Sequence, residues 1–317
     1  MAFFGGGTTA TPATTDVKDV ELMDPPGDSI SCLDFSPTAD YLAVGSWNNE
    51  EGNKVFSGGA DKAGRMFDVQ TGQATQIAAH DAPIKCVKWI DAQGGILATG
   101  SWDKTLKYWD TRQSTPVAKV DLPDRCYTMD VTYPLLVVGT AERHIQMFNL
   151  NNPTAAYRTM VSPLKWQTRV ISCFTTANGF AVGSIEGRVA IQYVDEKDSS
   201  LNFSFKCHRK DQGTTKDNTH VFAVNDMSFH PVHGTFSTAG ADGTINFWDK
   251  DSKTRLKTFD QAPGPISCTA FNKTGSLFAY AVSYDWSKGY SGMTPDHPNK
   301  VMLHVTKDEE IKRRPKK

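Results

Sequence analysis

The sequence is sparing with the residues that would have pointed to other classes of protein. Its six cysteines, at positions 32, 86, 126, 173, 207 and 268, are scattered through 317 residues with no CxxC pair. None has a histidine at zinc-ligand spacing, so neither a disulfide framework nor a zinc site organises the chain. Cys32 and Cys268 sit inside apolar runs, where a reduced thiol acts as a small core residue. No apolar stretch approaches the length of a membrane helix, so no membrane insertion is expected. The opening MAFFGGG lacks the basic start and apolar core of a secretory signal. A reducing compartment, cytosol or nucleus, is expected. There is no Gly-rich phosphate loop, no G-x-S-x-G elbow and no H-E-x-x-H. His230 and His233 flank a Pro-Val pair and read as a turn rather than as a metal motif. The chain is therefore expected to be non-enzymatic, with no cofactor and no metal. A net charge of −1 means that any binding of polyanions must be local.

What the chain has in abundance is one pattern, repeated. The run GSWDKTLKYWD from Gly100 to Asp110 reads as the end of one strand, a tight turn at Asp103-Lys104, and a return strand of period two. One such hairpin is marginal in water and needs neighbours to bury its faces. The neighbours are copies of it. Turn acids recur at Asp61, Asp103, Glu142 and Glu186 in steps of 42, 39 and 44 residues. A fifth acid, Asp242, leads to Trp248-Asp249, the same ending as Trp109-Asp110. A period of roughly 40–45 residues closing on Trp-Asp marks WD repeats, each about four antiparallel strands forming one blade of a β-propeller. The fold class is all-β. The turn acids are read as structural, with Asp103 orienting His80 at the start of its own repeat.

In chain order, residues 1–18 form a Gly-, Thr- and Ala-rich segment expected to be disordered. The propeller is assigned to 19–308, with Asp19 to Leu22 as a strand that closes the ring. Residues 309–317 are a basic tail, expected to be unfolded. The spacing fails in one place: Asn48 and Asp61 are 13 residues apart, where the other steps require about 40. About three strands are missing, and the expected result is one hybrid blade made from 29–47 and 53–69. The step from Glu186 to Asp242 stretches to 56 residues, which reads as an exposed, functional loop at 206–219. Tyr284 and Trp286 belong to a second insertion and are expected to anchor it.

Several stretches together resemble one WD family, the nuclear-pore-associated mRNA export factors. They are Gly100–Asp110, Thr140–Arg143, Ser162–Lys165, Gly183–Val189, Phe203–Arg209, Phe229–Gly234, Phe247–Asp251 and Ser283–Gly289. The resemblance implies a seven-bladed propeller, here with an incomplete or hybrid blade 1/2. It further implies an adaptor supporting mRNA export that binds the GLEBS motif of a Phe-Gly nucleoporin, together with RNA or a ribonucleoprotein. The implied location is the nucleus and the nuclear pore complex, with cytoplasmic shuttling. The alternative is a mitotic spindle or checkpoint scaffold that meets spindle-checkpoint proteins and contacts no RNA; fold alone does not separate the two.

The candidate residues follow from charge and aromatic content. Lys250, Lys253, Arg255 and Lys257 fall just after Trp248, and Lys206, His208, Arg209 and Lys210 follow Phe203 and Phe205. Cations for phosphates beside rings for bases are what single-stranded nucleic acid requires. By resemblance, Phe205, Trp248, Lys250, Lys253 and Arg255 form the nucleic-acid face, with Lys206, Arg209 and Lys257 beside them. The competing reading makes the cations a solvated hairpin and Trp248 a core residue. Arg188, by the same resemblance, pairs with acidic groups of the nucleoporin segment, since an Arg fork suits carboxylates. Its competing reading is an internal pair with Glu186 or Glu142.

Overall fold

The computed structural model describes residues 18–36, 40–46, 54–68, 70–91, 94–211 and 219–314. The return strand expected at 48–50, the tip of the 206–219 loop and most of the N-terminal segment lie outside them. The strands in chain order are β1 (Val20–Glu21), β2 (Ile30–Phe35), β3 (Leu42–Ser46), β4 (Lys54–Gly58), β5 (Ala63–Asp68) and β6 (Gln73–Ala79). The next blade is β7 (Ile84–Ile90), β8 (Ile96–Ser101), β9 (Thr105–Trp109) and β10 (Ala118–Asp121). It is followed by β11 (Cys126–Thr132), β12 (Leu135–Thr140), β13 (His144–Asn149) and β14 (Ala156–Val161). Then come β15 (Thr168–Cys173), β16 (Gly179–Ser184), β17 (Arg188–Tyr193) and β18 (Phe203–Lys206). A short hairpin, β19 (Arg209–Asp211) and β20 (Thr219–Val221), precedes β21 (Val224–Asp226), β22 (Phe236–Gly240), β23 (Ile245–Asp249) and β24 (Thr254–Thr258). The chain ends with β25 (Ile266–Phe271), β26 (Leu277–Val282), β27 (Lys300–Val305) and one turn of helix, α1 (Asp308–Ile311).

Five sheets have four strands, and each runs outward from an inner strand in simple meander order. The last is closed by β1, which pairs antiparallel with β27 through Val20–Leu303 and Glu21–Met302. The two ends of the chain are thus knitted into one sheet, as the position of Asp19–Leu22 led us to expect. Each inner strand carries a bulge near its start, at Ile30/Cys32, Ile84/Cys86, Cys126/Thr128, Thr168/Val170, Val224/Asp226 and Ile266/Cys268. A bulge bends and twists a strand where it meets the rim of a closed structure. Around the channel, carboxylates stitch one inner strand to the next. Asp130 Oδ2 accepts the Cys173 N–H at 2.7 Å and Asp226 Oδ2 accepts the Thr269 N–H at 2.6 Å. Lys88 Nζ meets Asp130 Oδ1 at 2.8 Å.

The thin part of the ring lies where the repeat spacing fails. The described residues form six blades, the five above and the three-stranded β4–β6, so the seven blades implied by the resemblance are not reached. β2 and β3 make a separate two-stranded sheet. The expected hybrid blade does not form, because β3 and β4 do not pair. Both occupy the second-strand position of their repeats, run in the same direction, and already have one antiparallel partner each. Among the described residues, β2–β3 has no outer strands and β4–β6 has no inner strand. Each remnant instead leans on its intact neighbour. Ile30, Leu33 and Phe35 pack with Cys268, Ala270 and Ala279, whereas Phe56 and Met66 pack against Leu97 and Trp109. The effect on burial is plain: β12, β16 and β22 are buried at every residue, but Val55 and Phe56 of β4 are only half-buried. Phe56 stacks on Trp89 at 4.9 Å, and Trp89 remains 38% exposed where an inner strand would have covered it.

Candidate nucleic-acid interface

The site is framed by a side-chain network that two blades share. In the β7–β10 blade, Asp103 Oδ2 lies 2.8 Å from His80 Nδ1, and His80 Nε2 lies 2.7 Å from Thr99 Oγ1. Trp109 Nε1 donates to the same hydroxyl at 2.8 Å. Burial opposes the charge on Asp103, but hydrogen bonds from Thr105, the Asp81 N–H and His80 outweigh it and hold the carboxyl at about 2. Burial of His80 favours its neutral form and pushes its pKa down, against the pull of Asp103. The expected pairing of Asp103 with His80 is therefore present, and it extends to Thr99 and Trp109.

The same four residue types recur between the end of β18 and β23. His208 Nδ1 lies 2.9 Å from Asp242 Oδ1, His208 Nε2 lies 2.9 Å from Thr238 Oγ1, and Trp248 Nε1 donates to Thr238 at 2.9 Å. His208 is 4% exposed, so it is a frame residue and not part of the basic surface group to which its neighbours had assigned it. The β19–β20 hairpin, inserted between His and Asp, stretches their separation from 23 to 34 residues and hides the correspondence from a fixed-spacing reading.

This second frame sets Trp248 at the rim. Trp248 is half-buried on β23, and Phe205, on the outer strand β18 of the preceding blade, packs against it with ring centroids 4.6 Å apart. A cleft of about 170 Å³ opens between the two blades, lined by Phe203, Phe205, Phe236, Trp248, Lys206, Lys250 and Lys253 together with Asp249. Lys253 is exposed and lies 4.7 Å from the Phe203 ring centroid. Arg255 stands directly opposite Trp248 in the β23–β24 register, with its guanidinium 6.0 Å from the indole. Lys206 is exposed at the end of β18. These five side chains put three cations around a paired aromatic surface, an arrangement that can hold a phosphate backbone while a base stacks on a ring.

The remaining sequence candidates are employed inside the protein. Lys250 lines the same cleft but is 9% exposed, pairs with Asp251 at 2.7 Å and lies 4.8 Å from the Phe174 ring. Lys257 donates to Glu310 Oε1 at 2.9 Å and holds α1 in place. Arg209 donates to the carbonyls of Glu186 and Gly187, at 2.7 and 3.4 Å, and so anchors a turn of the neighbouring blade. A linear cluster of charge is thus distributed to three destinations, and the structure leaves Lys206, Lys253 and Arg255 facing outward.

Arg188 begins β17, directly opposite Lys206 in the β17–β18 register. Its Nε lies 3.7 Å from Glu186 Oε2, a loose internal pair, and its side chain stays 31% exposed. The same turn presents Ile185, and its N–H bonds to the carbonyl of Gln167. Beside Gln167 stands Trp166, 62% exposed. Trp166 was not among the sequence candidates; a lone Trp in a loop after Ser162–Lys165 gives no period to read, although its position outside every strand pattern was the available signal.

Comparison with known proteins agrees with the architecture. The family model "WD domain, G-beta repeat" matches residues 21–50, 72–110 and 212–249. The chain is 52% identical over 353 residues to the "Poly(A)+ RNA export protein" of Schizosaccharomyces pombe, covering 100% of this chain and 99% of that protein. It belongs to the WD-repeat mRNA export factors. Its similarity to the "mRNA export factor GLE2" of Chaetomium thermophilum is also 52%, covering 99% of both chains, and "Protein Rae1" of Drosophila melanogaster is 41% identical over 95% of this chain. The alignment with the S. pombe export factor runs to 353 residues while this chain has 317, so the longer relative has positions without a counterpart here.

Proposed function

We propose that this chain is a non-enzymatic adaptor of mRNA export at the nuclear pore, holding single-stranded RNA on its rim and an acidic nucleoporin segment on the face around Arg188. The observation that carries the RNA reading is the Phe205–Trp248 pair ringed by the outward cations Lys206, Lys253 and Arg255. Arg188, with Ile185 and Trp166 exposed beside it, supports a second contact, to the GLEBS segment of a Phe-Gly nucleoporin. The export roles in the names of the relatives support a nuclear, pore-associated reading of both contacts. We read the six blades and the residual β2–β3 sheet as a seven-bladed family ring that has lost the strands between Ser46 and Lys54.

The test is a titration with a fluorescent single-stranded oligoadenylate at several salt concentrations. The Lys253→Glu/Arg255→Glu variant is expected to bind at least 10-fold more weakly, with a shallower salt dependence, because about 0.7 is lost from the log–log slope per phosphate contact on a single strand. An unchanged slope rejects the rim. In a second arm, Arg188→Glu is expected to weaken capture of a GLEBS peptide; intact peptide affinity rejects that face.

A further inference from the structure

The basic C-terminal segment, expected from sequence to be unfolded, is docked as far as residue 314, and it is docked beside the rim cleft. Ile311 is 1% exposed, and its carbonyl accepts the Thr235 hydroxyl at 2.7 Å. Glu310 bonds both His304 Nε2, at 2.8 Å, and Lys257. These contacts suffice to fasten α1 to its blade. The next three residues are Lys312, Arg313 and Arg314, all exposed, and they continue past the fastening onto the β23–β24 turn. Arg313 Nη1 lies 3.0 Å from Asp251 Oδ2, the carboxylate that also pairs with Lys250. The Arg314 N–H lies 3.3 Å from Asp249 Oδ2, and Asp249 lines the cleft.

The placement matters because Asp249 and Asp251 are the acidic groups in an otherwise basic rim. Left alone, two carboxylates next to the cleft would repel a phosphate backbone. The tail adds a guanidinium to Asp251 and an N–H to Asp249, and leaves Lys312 and Arg314 exposed. We infer that Lys312 and Arg314 are a working part of the RNA-binding rim, supplying phosphate contacts that extend the cleft. This inference rests on the rim reading above and assigns it a second, sequence-distant strip of cations.

Three proteins, the unaltered chain, Lys312→Gln/Arg314→Gln and Lys253→Glu/Arg255→Glu, are titrated with the same single-stranded oligoadenylate across a salt series. Thermal melts are run on each. The tail variant keeps Arg313 and its contacts, so its melt is expected to match the unaltered chain. Its affinity is expected to fall about 3- to 10-fold, with a salt slope shallower by about 1.4, the loss of two single-strand phosphate contacts. Unaltered binding by the tail variant, with weakened binding by the cleft variant, overturns the tail inference and leaves the rim standing. No binding by the unaltered chain overturns both. Tail-dependent binding of polyglutamate in place of the RNA assigns the strip to acidic protein and overturns the RNA assignment.

Discussion

The two blades that carry the Asp-His-Thr-Trp network use the same four side chains with nearly the same distances, yet one is sealed and the other is open. Trp109 is 2% exposed, covered by Ile77 and Ala78 of the seven-residue outer strand β6 on the neighbouring sheet. Trp248 faces β18, an outer strand of four residues whose Phe205 leans on the indole at a tilt of 51° and leaves the cleft beside it. The network positions the Trp; the length and side chains of the adjacent outer strand decide whether that Trp serves the core or a ligand. A binding surface can thus be made on a repeat fold without altering the repeat, by shortening what lies over it.

The comparison is open to test, most severely at the indoles themselves. Trp109→Ala is expected to cost about 3–5 kcal/mol in urea unfolding, the usual range for emptying a Trp site in a core. Trp248→Ala should cost less stability but remove a stacking platform worth about 1–3 kcal/mol of RNA affinity. If the two substitutions have equal effects on stability and on binding, the distinction between a sealed and an open blade is void.

The next test probes the frame. His80→Ala and His208→Ala each leave a buried Thr and Asp short of a partner, at about 1–3 kcal/mol apiece. The two losses should match, and RNA affinity of the folded His208 variant should change little at pH 7.5. A His208 variant that keeps its stability but loses its salt-dependent binding would return that residue to the surface group.

The smallest expected effect concerns acid. Asp103 is held at about 2 by its hydrogen bonds, and Asp242 is shifted in the same direction by His208 and Thr244 against the opposing cost of burial. A carboxyl whose folded pKa is depressed stabilises above its unfolded value of about 3.9 and loses that contribution as pH falls through the folded value. Asp103→Asn should therefore flatten the pH dependence of unfolding free energy between pH 4 and pH 2. An unchanged acid limb would mean that the network contributes through packing instead of charge.

Much of the fold was legible because it repeats. The turn acids, the Trp-Asp endings, the partnership of Asp103 with His80 and the closing strand near Asp19 all follow from local pattern and spacing. What escaped depends on contacts made far along the chain. Lys250 looked like one more exposed cation until Phe174 and Tyr193, from the preceding blade, provided an aromatic site for its ammonium. His208 was hidden by an inserted hairpin. The tail looked unfolded because Lys312 and Arg313 are polar, while what fixes them is a buried Ile311 and the carboxylate of Asp251. The anomalous spacing near residue 48 was visible at once, but not its outcome. Two strands heading the same way, each already paired, do not merge into one antiparallel sheet.

That outcome has a mechanical consequence. Elsewhere in the ring β12, β16 and β22 are covered at every residue, and the β1–β27 pairing knits the two ends of the chain together at the clasp. β4 carries its load on half-covered side chains, Val55 and Phe56, so compliance concentrates beside it as it does at the slit of a lock washer. Amide exchange in β3 and β4 should be the fastest of any blade strand, and the ring should yield at that slit first, well away from the rim that grips RNA.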